Sequence, residues 1–314
     1  RIAGTQGDDT VVVRQPLTPV AYWSLNETGG TTLADQTAIP ENGTLYTDDK
    51  NDLGQAGVPL ALAPYGAGTA VSLDGSPHND YIAAPTNPEL QIDNGTISFW
   101  FNAAETHGPQ TIFSKAAAGD PNSLSIGLDG EQLVASFGTP GDGSGDNDGN
   151  HGPASIESAP LVEAGTWHMV SLTFGQEGMQ LYLDGSLVGK NAYTGGLTAN
   201  TDAIVIGGSD AHNPSSVINP AQFHIDRNFN GSIDQVAIYN QAATAQQIAQ
   251  IQQNGALGAN DPNGSTIEVY ASFLTTPGQV KTFNTADVNS IFAVLGDGND
   301  KMYIDPSVSV PAFI

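Results

Sequence analysis

Thr96-Ile97-Ser98-Phe99-Trp100-Phe101 sets Ile97, Phe99 and Phe101 on one face of an extended chain, with Ser98, Trp100 and Asn102 on the other. Such alternation, carried by β-branched and aromatic side chains, specifies a strand with one face in a core. The pattern recurs on both sides of it. Upstream stand Val20-Ala-Tyr22-Trp23-Ser-Leu25 and Ala70-Val71-Ser72-Leu73, the latter running into the turn Asp74-Gly75. Downstream, Leu124-Ser-Ile126-Gly-Leu128 passes through Asp129-Gly130 into Leu133-Val-Ala-Ser-Phe137. His168, Val170, Leu172 and Phe174 share a face opposite Trp167 and Met169, and Met179-Gln-Leu181-Tyr-Leu183 turns at Asp184-Gly185. Ala203-Ile-Val-Ile206 and the run 233–239 close the series. Short strands at this spacing, joined by tight turns, specify an all-β sandwich. One helix is expected, opened by the capping box Thr244-Ala-Gln-Gln247, with Ile248 and Ile251 on one face and Gly255 as its stop.

The composition narrows the function. Thirty-three acidic residues face 8 Lys plus Arg, a formal charge of −25, while 39% of the chain is hydrophobic. Such a surface repels nucleic acid and anionic lipid, so neither is an expected partner. With no cysteine, thiolate metal sites and disulfide staples are excluded. No apolar run approaches the roughly 20 residues of a membrane span. Arg1 opens mid-pattern and Pro311-Ala-Phe-Ile closes without a recognisable ending, so neighbouring domains of a longer chain are expected. Surplus aspartate calls for a divalent cation, and Ca2+ is the cofactor expected.

The two ends carry a shared motif. Gly4-Thr-Gln-Gly7-Asp8-Asp9-Thr10-Val11-Val12 fits the calcium-binding nonapeptide G-G-x-G-x-D-x-U-x with Thr5 as its one mismatch. Leu295-Gly296-Asp297-Gly298-Asn299-Asp300-Lys301-Met302-Tyr303 fits it again, with Leu295 in the first glycine position. Asp9 and Asp300 are the ligands so implied. The organisation expected is an arm over 1–15, a large domain over 16–257, and an accessory β segment over 258–314.

The order of the central pieces resembles the laminin-G-like, concanavalin A-like jelly roll over about residues 18–256. Tyr22-Trp23-Ser-Leu25-Asn-Glu-Thr-Gly29-Gly30, Ala70-Val-Ser-Leu73-Asp74-Gly75, Gly95-Thr-Ile97-Ser-Phe99-Trp100-Phe101, Trp167-His168, Leu181-Tyr-Leu183-Asp184-Gly185 and Asn230-Gly231-Ser-Ile233-Asp234 follow in the order that such modules show. The ends resemble repeats-in-toxin sequences. Together these resemblances imply a two-sheet antiparallel jelly-roll sandwich that binds glycans or protein partners, with calcium near one edge. They imply a large secreted or cell-surface bacterial protein, an adhesin among the options.

Three groups of site residues follow. Related modules hold calcium where this chain has Asp35, Asn42 and Asp234, although Gln235 replaces their usual acid after Asp234; the competing reading is hydrogen-bonded structural carboxylates. The loop 141–151 offers Asp142 and Asp146, but Pro153 stands where an EF-hand needs its bidentate Glu, so only a looser calcium site remains there. Asp74, His78, Asn79, Asp80, Tyr81, His212, Asn213 and Arg227 combine carboxylates, amides and an aromatic face, the groups that recognise sugar hydroxyls and ring C–H surfaces. Each alone reads more readily as a turn or surface residue. Trp100 and Trp167 read first as core residues, with Trp100 the better sugar-platform candidate of the two, and His168 is expected as a satisfied, partly buried histidine.

No Glu-x-Asp-x-x-Glu run, Gly-x-Ser-x-Gly elbow or His-Glu-x-x-His helix occurs. The function expected is therefore a calcium-dependent, glycan-binding module. The alternatives are a calcium-rigidified spacer that binds protein, or a polysaccharide-degrading enzyme.

Overall fold

The computed structural model describes the chain outside residues 1, 4, 9, 15–16, 38, 48–51, 64–67, 77, 117–121, 139–153, 211–224, 259–265, 272–279, 285–286, 296, 298, 305–310 and 314. It divides into two compact units, Pro19–Gly258 and Arg1–Thr18 with Ala259–Ile314.

Pro19–Gly258 is a jelly-roll sandwich of two eight-stranded antiparallel sheets. The first runs Ser155–Pro160, Gln132–Phe137, Leu124–Asp129, Pro109–Lys115, Ile204–Ile206, Tyr81–Ala84, Gly43–Tyr46, Thr32–Leu33. The second runs Ser186–Asn191, Met179–Leu183, Trp167–Phe174, Gly95–Ala103, Gly231–Tyr239, Thr69–Leu73, Gln55–Ala56, with Pro19–Trp23 also paired to Gly231–Tyr239. Alternation decides which side chains meet between them. Ile97, Phe99 and Phe101 enter the core beside Val170, Leu172, Phe174, Leu133 and Phe137. A register shift between Thr111 and Phe113 brings both Ile112 and Phe113 inward, as a bulge does. At Gly95 a Cβ would stand 2.5 Å from both Ile92 Cδ1 and Phe174 Cζ, so the strand can start there only on glycine.

The expected turns and cap form. Asp184 and Gly185 both adopt left-handed backbone (φ 50° and 76°), the two-residue hairpin turn that matches strand twist. Gln247 N–H donates to Thr244 Oγ1 at 3.3 Å and Thr244 N–H to Gln247 Oε1 at 2.9 Å, a closed capping box. The helix Ala245–Gly258 breaks at Gly255 (φ 77°), and Ile248 and Ile251 are its buried face. Trp100 is buried, in keeping with its first reading. It lies on the non-core face of its strand yet is only 2% exposed, so no sugar ring can stack on it.

The second unit brings the chain's two ends into register. Thr10–Arg14 pairs in parallel with Lys301–Ile304, Val11 opposite Met302 and Val13 opposite Ile304, in a sheet completed by Thr266–Ala271 and Val280–Asn284. Ile2–Ala3 and Ala312–Phe313 flank Ile291–Val294, also in parallel. Val11, Val13, Ile267, Val269 and Ile291 form the small core. Asn299 N–H donates to Asp8 Oδ1 at 2.8 Å, so the nonapeptide turns lie side by side. Asp300 is half-buried there; Asp9 lies outside the described residues.

Candidate functional site

The strand Thr69–Leu73 belongs to one sheet and Tyr81–Ala84 to the other, so residues 74–80 cross from sheet to sheet at one end of the sandwich. The crossing is tight: His78 N–H and Asn79 N–H both donate to Gly75 O at 3.0 Å, and Asn79 takes the left-handed conformation (φ 59°) that Asn tolerates well. Asp80 closes it, its Oδ2 accepting Asp74 N–H at 3.2 Å. Asp52 joins from the preceding segment, its backbone oxygen accepting Ser72 N–H at 2.8 Å. Carboxylate oxygens of Asp52, Asp74 and Asp80 thereby lie within 4.8 Å of one another. Asp52 and Asp80 are buried and Asp74 is exposed.

That spacing suits one calcium ion, because two calcium–oxygen bonds of about 2.3–2.6 Å span just such a separation. Among the described residues no other group of three carboxylate or histidine ligands meets at this distance. Asp52 also lines a cavity of about 380 Å³ with Thr28, Gly29, Gly30, Thr31, Leu45, Thr47 and Leu53. Three hydroxyls, a carboxylate and two leucines make a lining that is part polar and part apolar, and the volume falls in the range of small-molecule sites.

On the other face of the same strands, the rings of Tyr46 and Tyr81 stack at 4.9 Å with planes 13° apart. They pack with Ala83, Val205 and Ile225. Burial, with Tyr46 and Asp210 adding to it, pushes the Tyr81 phenol up to about 12, so it keeps its proton at any physiological pH.

Arg227 comes to the same end. A Cβ on Gly75 would lie 3.4 Å from Asn228 O and 3.1 Å from Asn230 Cβ, so the 74–80 crossing packs on the segment that follows Arg227. Arg227 itself is left-handed (φ 52°), and its carbonyl accepts Thr111 N–H at 2.7 Å. Asp74, His78, Asn79, Asp80, Tyr81 and Arg227 are thus gathered from two segments. His212 and Asn213, with Asp142 and Asp146, lie outside the described residues. Sequence reasoning passed over Asp52 and Tyr46. The acidic run Asp48-Asp49-Lys50-Asn51-Asp52 was the available signal for the first.

Residues 74–249, more than half of the chain, match the family model of the concanavalin A-like lectin/glucanases superfamily. The chain belongs to this family. No curated protein matches it. Among solved structures, this concanavalin A-like chain is similar to domain 4 of AbnA, an extracellular GH43 arabinanase of Geobacillus stearothermophilus solved with arabinotriose. The TM-score is 0.50 and the identity 18%, over 76% of this chain and 100% of that one. Matches also include the botulinum neurotoxin serotype C1 binding domain (TM-score 0.49, 17% identity, 79% and 52% covered) and the Ruminococcus gnavus IT-sialidase CBM40 bound to α2,3 sialyllactose (0.43, 12%, 59% and 96%). At these identities the likeness is one of fold. Carbohydrate-binding modules and enzymes share it. Among the described residues no helix is long and apolar enough to cross a membrane.

In this concanavalin A-like sandwich Asp35, Asn42 and Asp234, the residues implied as calcium ligands, all accept hydrogen bonds from backbone N–H groups. Asp35 Oδ1 accepts Tyr22 N–H and Thr37 N–H, both at 3.0 Å, and its Oδ2 accepts Glu41 N–H at 2.9 Å. Asn42 Oδ1 takes Asp35 N–H at 3.0 Å. Asp234, fully buried after a register shift in its strand, receives Val58 N–H on Oδ2 at 3.1 Å, while its Oδ1 has no hydrogen-bond partner. Burial pushes its carboxyl up to about 7 against the pull of the Val58 and Gln235 amides. His168 Nδ1 lies 2.8 Å from Asp184 Oδ2 but its buried Nε2 has no hydrogen-bond partner, so the satisfied histidine expected is met at one ring nitrogen only.

Proposed function

We propose that this chain is a non-catalytic glycan-binding module, anchored by a calcium ion on Asp52, Asp74 and Asp80. The observation that supports it is the meeting of those carboxylates beside a cavity that shares Asp52. A bound ion would fix the 74–80 crossing and offer open coordination positions to sugar hydroxyls, while Thr28, Thr31 and Thr47 supply donors and acceptors. Tyr46, half-buried and stacked on the buried Tyr81, provides the aromatic surface. The family's extracellular glycan-binding members make a secreted or cell-surface setting the natural one for this reading. The stacked terminal turns, with Asp8 and Asp300, are the place for further calcium.

Asp74 is the ligand to remove, being exposed and bound to no buried core. Calcium titration by calorimetry should show binding that Asp74→Ala weakens at least tenfold. On an array of polysaccharides and oligosaccharides, the parent should bind in calcium and lose that binding in chelator. Silence on every glycan in calcium, with the fold intact by circular dichroism, would end the reading. Equal calcium affinity in parent and Asp74→Ala would remove the ion from this site.

A further inference from the structure

We propose that Lys115 and Asn200 become joined by an isopeptide bond formed within the folded chain. Lys115 ends the strand Pro109–Lys115 and has no exposed surface, and neither has Asn200. Lys115 Nζ donates to Asn200 O at 2.9 Å, to Asn200 Oδ1 at 2.7 Å and to Asp202 O at 2.8 Å. The Asn200 side chain is held from both ends. Its Nδ2 donates to Lys115 O at 3.0 Å and Asn122 O at 2.9 Å, and its Oδ1 accepts Asp202 N–H at 2.9 Å.

This arrangement places an amine against a fixed carboxamide. With a C=O bond of about 1.23 Å, Nζ stands no farther than about 3.9 Å from Asn200 Cγ, close to the roughly 3–3.5 Å of a near-attack geometry. The Asp202 N–H already on Oδ1 is a donor aimed at the oxygen that would gain charge during addition. Asp202 is itself buried and touches both reactants through its main chain.

The step balances without a redox partner. Asp202 takes one proton from the Lys115 ammonium, and the amine lone pair adds to Cγ as the carbonyl electrons move to Oδ1. Asp202 passes its proton to Nδ2 and receives another from the added nitrogen. The Cγ–Nδ2 bond then breaks with its electron pair, the carbonyl re-forms, and the ammonia released takes up the remaining proton. One ammonium side chain and one carboxamide become one secondary amide and one ammonium ion. The bond staples the strand 109–115 to the segment at 200 across 85 positions, in a chain that has no cysteine to form a disulfide.

Intact-mass spectrometry of the purified chain tests this. The expected mass is that of the sequence less one ammonia, with a branched peptide joining residues 115 and 200 after proteolysis. Lys115→Arg, which cannot condense, should keep the full mass. A parent at full sequence mass overturns the proposal. So does an ammonia loss that maps to a succinimide at an Asn-Gly pair such as Asn94-Gly95. The parent's mass alone decides, so a variant that fails to fold removes nothing.

Discussion

Asp35→Ala is expected to lower the stability of the sandwich by about 3 to 5 kcal/mol. The carboxylate holds three backbone N–H groups, those of Tyr22, Thr37 and Glu41, and Tyr22 lies on a buried strand beside the core. Each buried amide left without an acceptor costs about 1–3 kcal/mol, and water reaching the part-buried Thr37 and Glu41 amides keeps the sum below its maximum. Asp35→Asn retains one oxygen for up to two of the three donors and should lose less than half as much. Urea unfolding in calcium and in chelator measures both. A purely structural carboxylate loses the same amount in each condition, whereas a calcium ligand loses it only with calcium present. An Asp35→Ala protein within 1 kcal/mol of the parent would show that the three amides find other acceptors.

Asp35 also shows where sequence reasoning was strong and where it failed. Alternation alone located Ile97, Phe99 and Phe101, because a strand between two neighbours must put every second side chain into the core. The turn Asp184-Gly185 and the Thr244–Gln247 cap were legible because their chemistry is local, confined to residues two to four apart. Asp52, Asp74 and Asp80 were not legible as one group. They meet only because one sheet ends where the other begins, and nothing in the spacing of Asp52 and Asp74 encodes that crossover. The sugar-platform alternative for Trp100 failed for a related reason. Its polar strand neighbours Ser98 and Asn102 suggest a wet face, but Ser98 is buried with it, Ser171 Oγ lying 2.9 Å from Ser98 Oγ. Lys115 and Asn200 were invisible at 85 positions apart.

Asp234 supplies the second large effect, and its sign follows from burial. Its carboxyl is raised from 3.8 to about 7 in the folded chain, chiefly by loss of solvent. At pH 3 and below, both the folded and unfolded forms keep the proton, and the group costs nothing. As pH climbs from 3 towards 7 the unfolded chain ionises freely while the folded one resists, so stability falls; above 7 the loss is complete. A displacement of about 3 units amounts to roughly 4 kcal/mol. Asp234→Asn cannot ionise and keeps an oxygen for Val58 N–H. It should therefore gain about 2–4 kcal/mol over the parent at pH 8, match it near pH 3, and flatten the pH profile between. Denaturant melts at the two pH values in chelator measure this. A calcium ion on Asp234 would invert the outcome in calcium-containing buffer, since the metal would hold the ionised carboxylate and the amide could not replace it. An Asp234→Asn chain less stable than its parent at pH 8 in chelator would show that the buried carboxylate is paid for by interactions stronger than the two amides that reach it.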